Sequence, residues 1–206
     1  MRIFGLIGYP LSHSFSKKYF TEKFEQEGLH NCRYENFPIA TIDEFNKIFE
    51  NNPGLEGLNV TIPYKEKVLP FLYESSEAVK QVGACNCIKI ISGRLYGFNT
   101  DVIGFENTLT TRLQPHHTKA LVLGSGGASK AVQYVLKKRN IEFIVVTRSN
   151  NPLFIRYEQL SKELLEEYTL IINTTPLGMQ PLTEYYPSIP YSALTRQHYL
   201  YDLIYN

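Results

Sequence analysis

The chain has 206 residues, room for two small domains, and 43% of them are hydrophobic, so a buried core rather than disorder is expected. Its 21 basic and 20 acidic residues leave a formal net charge of +1, which argues against nucleic acid or an anionic membrane as partner. No apolar run reaches membrane-spanning length and the N-terminus does not read as a signal peptide, so the cytoplasm is the expected location.

In chain order, the compact run 2–8 (RIFGLIG) reads as a buried strand entering a loop at Tyr9-Pro10. Residues 16–27 space Phe20 and Phe24 like one face of a helix, with serine as its cap. A strand over 32–37, a helix over 41–49 and a short strand over 57–62 follow. Residues 82–91 and 94–99 flank Ser92-Gly93 as a hairpin. After a break in character, 105–113 reads as a helix and 114–117 as a polar connector, to which His116 and His117 contribute no chemistry. Beyond it the order is strand 119–123, helix 128–138, strand 141–147, helix 157–167, strand 170–173 and strand 199–204. That β-α-β-α-β order is half of a Rossmann sheet. The fold class is therefore α/β, with domains expected at 1–101 and 102–206.

Cys85 and Cys87 would share one face of a strand, yet no histidine lies near them in sequence to complete a metal site. No metal is expected, and the three cysteines read as small, reduced residues.

Residues 121–130 (LVLGSGGASK) run from an apolar strand through Gly124-Ser125-Gly126-Gly127 into a helix. Gly124 permits a tight turn, and Gly126 lets the backbone approach a pyrophosphate seated on the free N–H groups of the helix start. The third glycine of the usual spacing is replaced by Ser129, small enough for close packing. At the end of the next strand, Thr147-Arg148-Ser149 offers no acid for an NAD ribose. Arg148 can pair with a 2′-phosphate, and Thr147 and Ser149 add hydroxyls, so NADP is the expected cofactor.

Four polar stretches in the first half remain: 10–16 (PLSHSFS), 59–65 (NVTIPYK), 83–87 (GACNC) and 99–101 (NTD), each at the edge of a predicted strand. Taken with LGSGGASKA, INTTPLGM and YDLIYN, their order along the chain resembles the shikimate dehydrogenase family across nearly its whole length. The resemblance implies an N-terminal α/β substrate-binding domain, a C-terminal Rossmann-like NADP-binding domain, and NADPH-dependent reduction of 3-dehydroshikimate to shikimate. It places Lys65 and Asp101 on the paired catalytic positions. It puts Ser14 and Ser16 on the substrate carboxylate, and Thr61, Asn86 and Tyr205 on further substrate contacts. Asn99 and Thr100 belong to the same loop motif, Gly126, Gly127 and Ala128 match the phosphate loop, and Arg148 the NADP-phosphate position. His13 is expected to order the substrate loop.

Asn86-Cys87 stands where the family has Asn-Thr, and Ser125 where alanine is commoner. The chain stops at Asn206 just after a strand, so the family's C-terminal segment is expected to be lacking. The alternatives are a quinate/shikimate dehydrogenase-like paralogue with relaxed choice, or a non-catalytic nucleotide-binding fragment. The partner expected is a small molecule, and a homodimer is left open.

Overall fold

In the computed structural model, which describes residues 1–12, 14–180 and 183–204, the apolar run Arg2–Gly8 is indeed a strand, β1. It is followed by α1 (Ser16–Gln26), β2 (Cys32–Pro38), α2 (Phe45–Asn51), β3 (Leu55–Val60), β4 (Glu74–Ser75), α3 (Glu77–Val82), β5 (Cys87–Ile91) and β6 (Arg94–Phe98). The sheet runs in the order β2-β1-β3-β5-β6-β4. The β2-β1-β3 part is parallel, and β5 and β6 complete it antiparallel.

Alternation along β1 sorts its side chains onto two faces. Ile3 and Ile7 join a core with Phe45, Leu58, Val60, Tyr64 and Ile88. Phe4 and Leu6 meet Tyr34 with Phe20 and Phe24 of α1 on the other.

Four readings of this half change. The expected serine cap of α1 is absent: Phe15 holds the cap position without a side-chain bond, and Ser16 is the first helical residue. The 41–49 helix opens as a 3-10 turn at Ile42–Glu44 before α2, closed by reciprocal bonds between Thr41 and Glu44. The 82–91 strand begins only at Cys87. Ser76 caps a helix that ends on Gly83 at φ +70°, and residues 84–86 form a connector. The 105–113 helix is α4, Thr100–Thr110, which begins earlier because the Asn86 side chain takes the Thr100 N–H that a helix start leaves unpaired.

The chain divides into two units, Met1–Thr100 and Asp101–Asn206. The second contains β7 (Lys119–Leu123), α5 (Gly127–Lys138), β8 (Glu142–Thr147), β9 (Ile155–Arg156), α6 (Lys162–Glu167), β10 (Leu170–Asn173) and β11 (Tyr199–Asp202). All pairings are parallel, in the order β11-β10-β7-β8-β9. The direction of winding reverses between β7 and β10, the position where open α/β sheets hold ligands. The 157–167 helix is again split: Tyr157–Gln159 is a 3-10 turn, and Ser161 caps α6 by accepting from the Leu164 N–H. Leu121, Val132, Val135, Leu136 and Ile172 are fully buried, fixing α5 over the sheet.

Candidate active site

In the first unit the polar stretches are laced together by main-chain bonds at the C-terminal ends of β1 and β3. Thr61 N–H donates to Ile7 O at 2.9 Å, and Val60 N–H to Asn86 O at 2.9 Å. The Cys85 N–H donates to Lys65 O at 2.7 Å, and Asn86 N–H to Phe98 O at 3.1 Å. Gly8 is required by this closeness, since a Cβ there would lie 2.4 Å from Thr61 Cγ2. Both Tyr9-Pro10 and Ile62-Pro63 are cis.

Lys65 is half-buried on the loop after β3. Tyr64 before it is 1% exposed and donates its hydroxyl to Ile39 O at 2.5 Å, while Val68 is fully buried. With Tyr64 N–H on Thr61 O and Val68 N–H on Tyr64 O, the loop holds the lysine backbone from both sides.

Asn86 is 8% exposed, and its Oδ1 accepts the Thr100 N–H at 2.7 Å and the Thr100 hydroxyl at 3.1 Å. Its Nδ2 is thus the group it can offer a ligand. Asn99, buried beside it, donates to Ala84 O at 3.0 Å. Asp101 follows Thr100 directly, exposed in the first turn of α4.

Ser14 supplies the most informative atom of this unit: its Oγ is buried without a hydrogen-bond partner. Asn36 Oδ1 is likewise buried and unpaired. Such buried atoms call for a bonding partner, which a water or a polar ligand can supply. Ser16 is not used as a cap; its side chain lies within hydrogen-bonding reach of the Tyr34 phenol, whose titration burial pushes up. Tyr205 and His13 lie outside the described residues.

Cys85 is a buried thiol pushed up to about 11 by burial, and it donates to Cys87 O at 3.4 Å. Burial also raises the Cys87 thiol. The two do not share one face of a strand as expected, because Cys85 precedes β5. Among the described residues no three His, Cys, Asp or Glu side chains are gathered to hold a metal.

In the second unit the glycine turn follows β7. Gly124 has φ +105°, and a Cβ there would lie 2.8 Å from Thr174 Oγ1, so both backbone conformation and packing require glycine. At Gly126 and Gly127 an added Cβ meets nothing within 4 Å: the space over the turn is open. Gly126 caps the twelve-residue helix α5, whose first turn carries no acidic residue. Free N–H groups beside an open cradle suit a phosphate group. Ser129, in place of the third glycine, is fully buried and accepts from Gln133 Nε2 at 2.9 Å.

Thr147 ends β8, 6% exposed, with its hydroxyl 3.3 Å from Ser125 Oγ and 2.9 Å from Ser149 Oγ. Arg148 lines a cavity of about 370 Å³ with Tyr157, Thr175, Leu177 and Tyr186. The Tyr157 hydroxyl is buried and unpaired; burial pushes its phenol up, and the Arg148 charge opposes that. Thr175 is set by Asn173, whose Oδ1 accepts its N–H at 3.0 Å and its hydroxyl at 2.7 Å. Thr175 lies in the INTTPLGM stretch and Asn59 opens the polar stretch 59–65, though neither was assigned a role, and no local pattern singled out Tyr157 or Tyr34.

A glycine turn at the switch point of a parallel sheet, in one chain with a cluster of polar loops on a mixed sheet, defines an α/β dehydrogenase of the Rossmann type. Residues 6–88 match the shikimate dehydrogenase substrate binding domain. The whole chain is 35% identical to the NADP(+) shikimate dehydrogenase of Desulforamulus reducens, covering 77% of that protein. It belongs to the shikimate dehydrogenase family. The crystal structure of shikimate dehydrogenase from Aquifex aeolicus superimposes on all of the chain with a TM-score of 0.83, at 31% identity and over 80% of its own length. Shikimate 5-dehydrogenase from Thermus thermophilus, in complex with NADP(H) and shikimate, covers 98% of the chain with a TM-score of 0.81 and 29% identity, over 78% of its own length.

Proposed function

We propose that the chain catalyses the NADPH-dependent reduction of 3-dehydroshikimate to shikimate, and the reverse oxidation. The observation that carries the reading is the lacing of the Ser14, Thr61, Lys65 and Asn86 loops around one end of the first sheet, with Ser14 Oγ buried and unpaired.

Ser14 and Ser16 donate to the substrate carboxylate, a task that suits hydroxyls not engaged in capping. Thr61 and the Asn86 Nδ2 bind ring hydroxyls, with Tyr205 assigned to the substrate as well. Lys65 is the proton donor: as the ketone carbon is reduced, its oxygen gains negative charge and takes a proton from the ammonium. In the oxidative direction the neutral amine takes that proton back. Asp101, the second residue of the catalytic pair, accepts a bond from a substrate hydroxyl.

Gly126, Gly127 and Ala128 hold the pyrophosphate on their N–H groups, with Gly124 making the turn. Arg148 pairs with the 2′-phosphate, flanked by Thr147 and Ser149. NADPH, when bound, supplies the hydride. The balanced charge and three free cysteines support a small-molecule enzyme of the cytoplasm.

Steady-state kinetics with each pairing of shikimate or quinate with NADP or NAD test this reading. Shikimate with NADP is expected to give the highest kcat/KM. Equal use of quinate identifies the relaxed paralogue instead, and no turnover with any pair identifies a non-catalytic nucleotide binder.

A further inference from the structure

Tyr34 stands on β2, outside the sequence of every polar stretch assigned to the site, and is 3% exposed. Its ring stacks on Phe20 of α1, with centroids 4.6 Å apart and planes 13° from parallel. A ring held this way has little freedom, so its hydroxyl is a fixed point on the α1 face of the sheet. That hydroxyl donates to Asn59 Oδ1 at 2.8 Å, two residues before Thr61. Ser16 lies within hydrogen-bonding reach of the same phenol, and the Cys87 thiol lies close enough to affect its charge. Cys87 pairs with Asn59 across β3 and β5, so the hydroxyl ties together the α1 start and the site ends of both strands.

A phenol has one donor and two acceptor lone pairs. With its proton on Asn59 Oδ1, Tyr34 fixes which way the Asn59 amide faces: the oxygen is held inward and the Nδ2 donors are left for a ligand. Its remaining lone pairs are open to Ser16, whose single O–H can rest on the phenol in the free protein and turn to the carboxylate when an anion arrives. A phenylalanine would keep the ring and its stacking but would release both groups.

We infer that Tyr34 is a positioning residue for substrate binding, acting through Ser16 and Asn59 to present hydrogen-bond donors to the carboxylate and hydroxyls of the substrate. The inference rests on the proposed placement of the substrate carboxylate at Ser14 and Ser16. It predicts an effect on substrate affinity separate from stability and from the cofactor.

The test compares Tyr34→Phe, Ser16→Ala and the double variant in steady-state kinetics with shikimate and NADP, alongside thermal unfolding. Tyr34→Phe is expected to raise KM for shikimate about ten-fold, leaving kcat, KM for NADP and Tm close to wild type. In the Ser16→Ala background the same change is expected to add less than it does alone, because the two act as a unit. An unchanged KM in Tyr34→Phe while Ser16→Ala raises it overturns the role of Tyr34 and leaves the site reading standing. An unchanged KM in both overturns the reading of Ser16 and the inference with it. A lowered Tm with unchanged KM, or fully multiplicative effects in the double variant, also overturns the inference. Should Tyr34→Phe not fold, Asn59→Asp decides: it still accepts from Tyr34 but offers no amide donor. Its KM is then expected to rise ten-fold or more, and an unchanged KM contradicts the inference.

Discussion

The Asn86 amide oxygen accepts both the backbone N–H and the hydroxyl of Thr100, at 2.7 and 3.1 Å, so one buried side chain fixes the start of α4 and the residue before Asp101. Removing it leaves the Thr100 N–H without that partner, at a cost of about 1–3 kcal/mol. Asn86→Ala is expected to lose that much stability in urea unfolding and to raise KM for shikimate. Asn86→Asp keeps the acceptor but loses the amide donor, so it is expected to hold its stability while KM still rises. Equal stability loss in both variants contradicts this division of labour between oxygen and nitrogen.

Two glycines of the phosphate turn separate folding from binding. Gly124→Ala forces a side chain into φ +105° and against Thr174, and is expected to cost about 1–3 kcal/mol of stability. Gly126→Ala, at φ −79° with open space around the new methyl, is expected to leave Tm unchanged and to weaken NADP binding. Titration calorimetry with NADP on the two variants checks this; normal binding by Gly126→Ala would count against a phosphate seat there.

At Arg148 the cost of losing a charge-assisted pair to phosphate is about 1.5–3 kcal/mol, roughly ten- to a hundred-fold in affinity. Arg148→Ala should therefore raise KM for NADP by that factor and leave KM for NAD nearly unchanged. A parallel loss with both cofactors would mean that Arg148 supports the fold or the adenine rather than the 2′-phosphate.

His117 carries a pH dependence. Its Nδ1 accepts the Gln114 N–H at 2.9 Å and its Nε2 lies 3.1 Å from Gln197 O, an arrangement that suits the neutral ring. Burial chiefly, with the charges of His116 and His198, holds its pKa below the ordinary 6.5, while the Gln197 carbonyl opposes that shift. Below pH 6.5 the unfolded chain therefore binds more protons than the folded one. The His117 contribution to stability is full above that pH. It falls as pH drops through the unfolded value, and levels off once the folded value is passed. His117→Gln is expected to flatten the decline in urea-unfolding free energy between about pH 8 and 5; an unaltered slope contradicts the assignment.

The longer strands of both sheets could be read from apolar runs such as 119–123, because a buried parallel strand has few other ways to be written, whereas the two-residue β4 and β9 could not. Helix starts were less legible. That of α4 depends on Asn86, fourteen residues earlier, and the α1 cap position falls on Phe15, with Ser16 already the first helical residue. Gly124 and Arg148 were visible because a turn and a phosphate each demand particular residue types. Tyr34 and Tyr157 were not, since a tyrosine in a β strand or a short turn reads as core until its hydroxyl is seen to meet a site residue or to lack a partner.

The most direct test of the central claim follows reduced nicotinamide absorbance when shikimate and NADP are added to the wild-type chain and to Lys65→Ala. The account predicts absorbance growth that needs both compounds, with kcat lowered by orders of magnitude in the variant and KM for shikimate little changed. Undiminished turnover by Lys65→Ala, or no turnover by the wild-type chain, would contradict it.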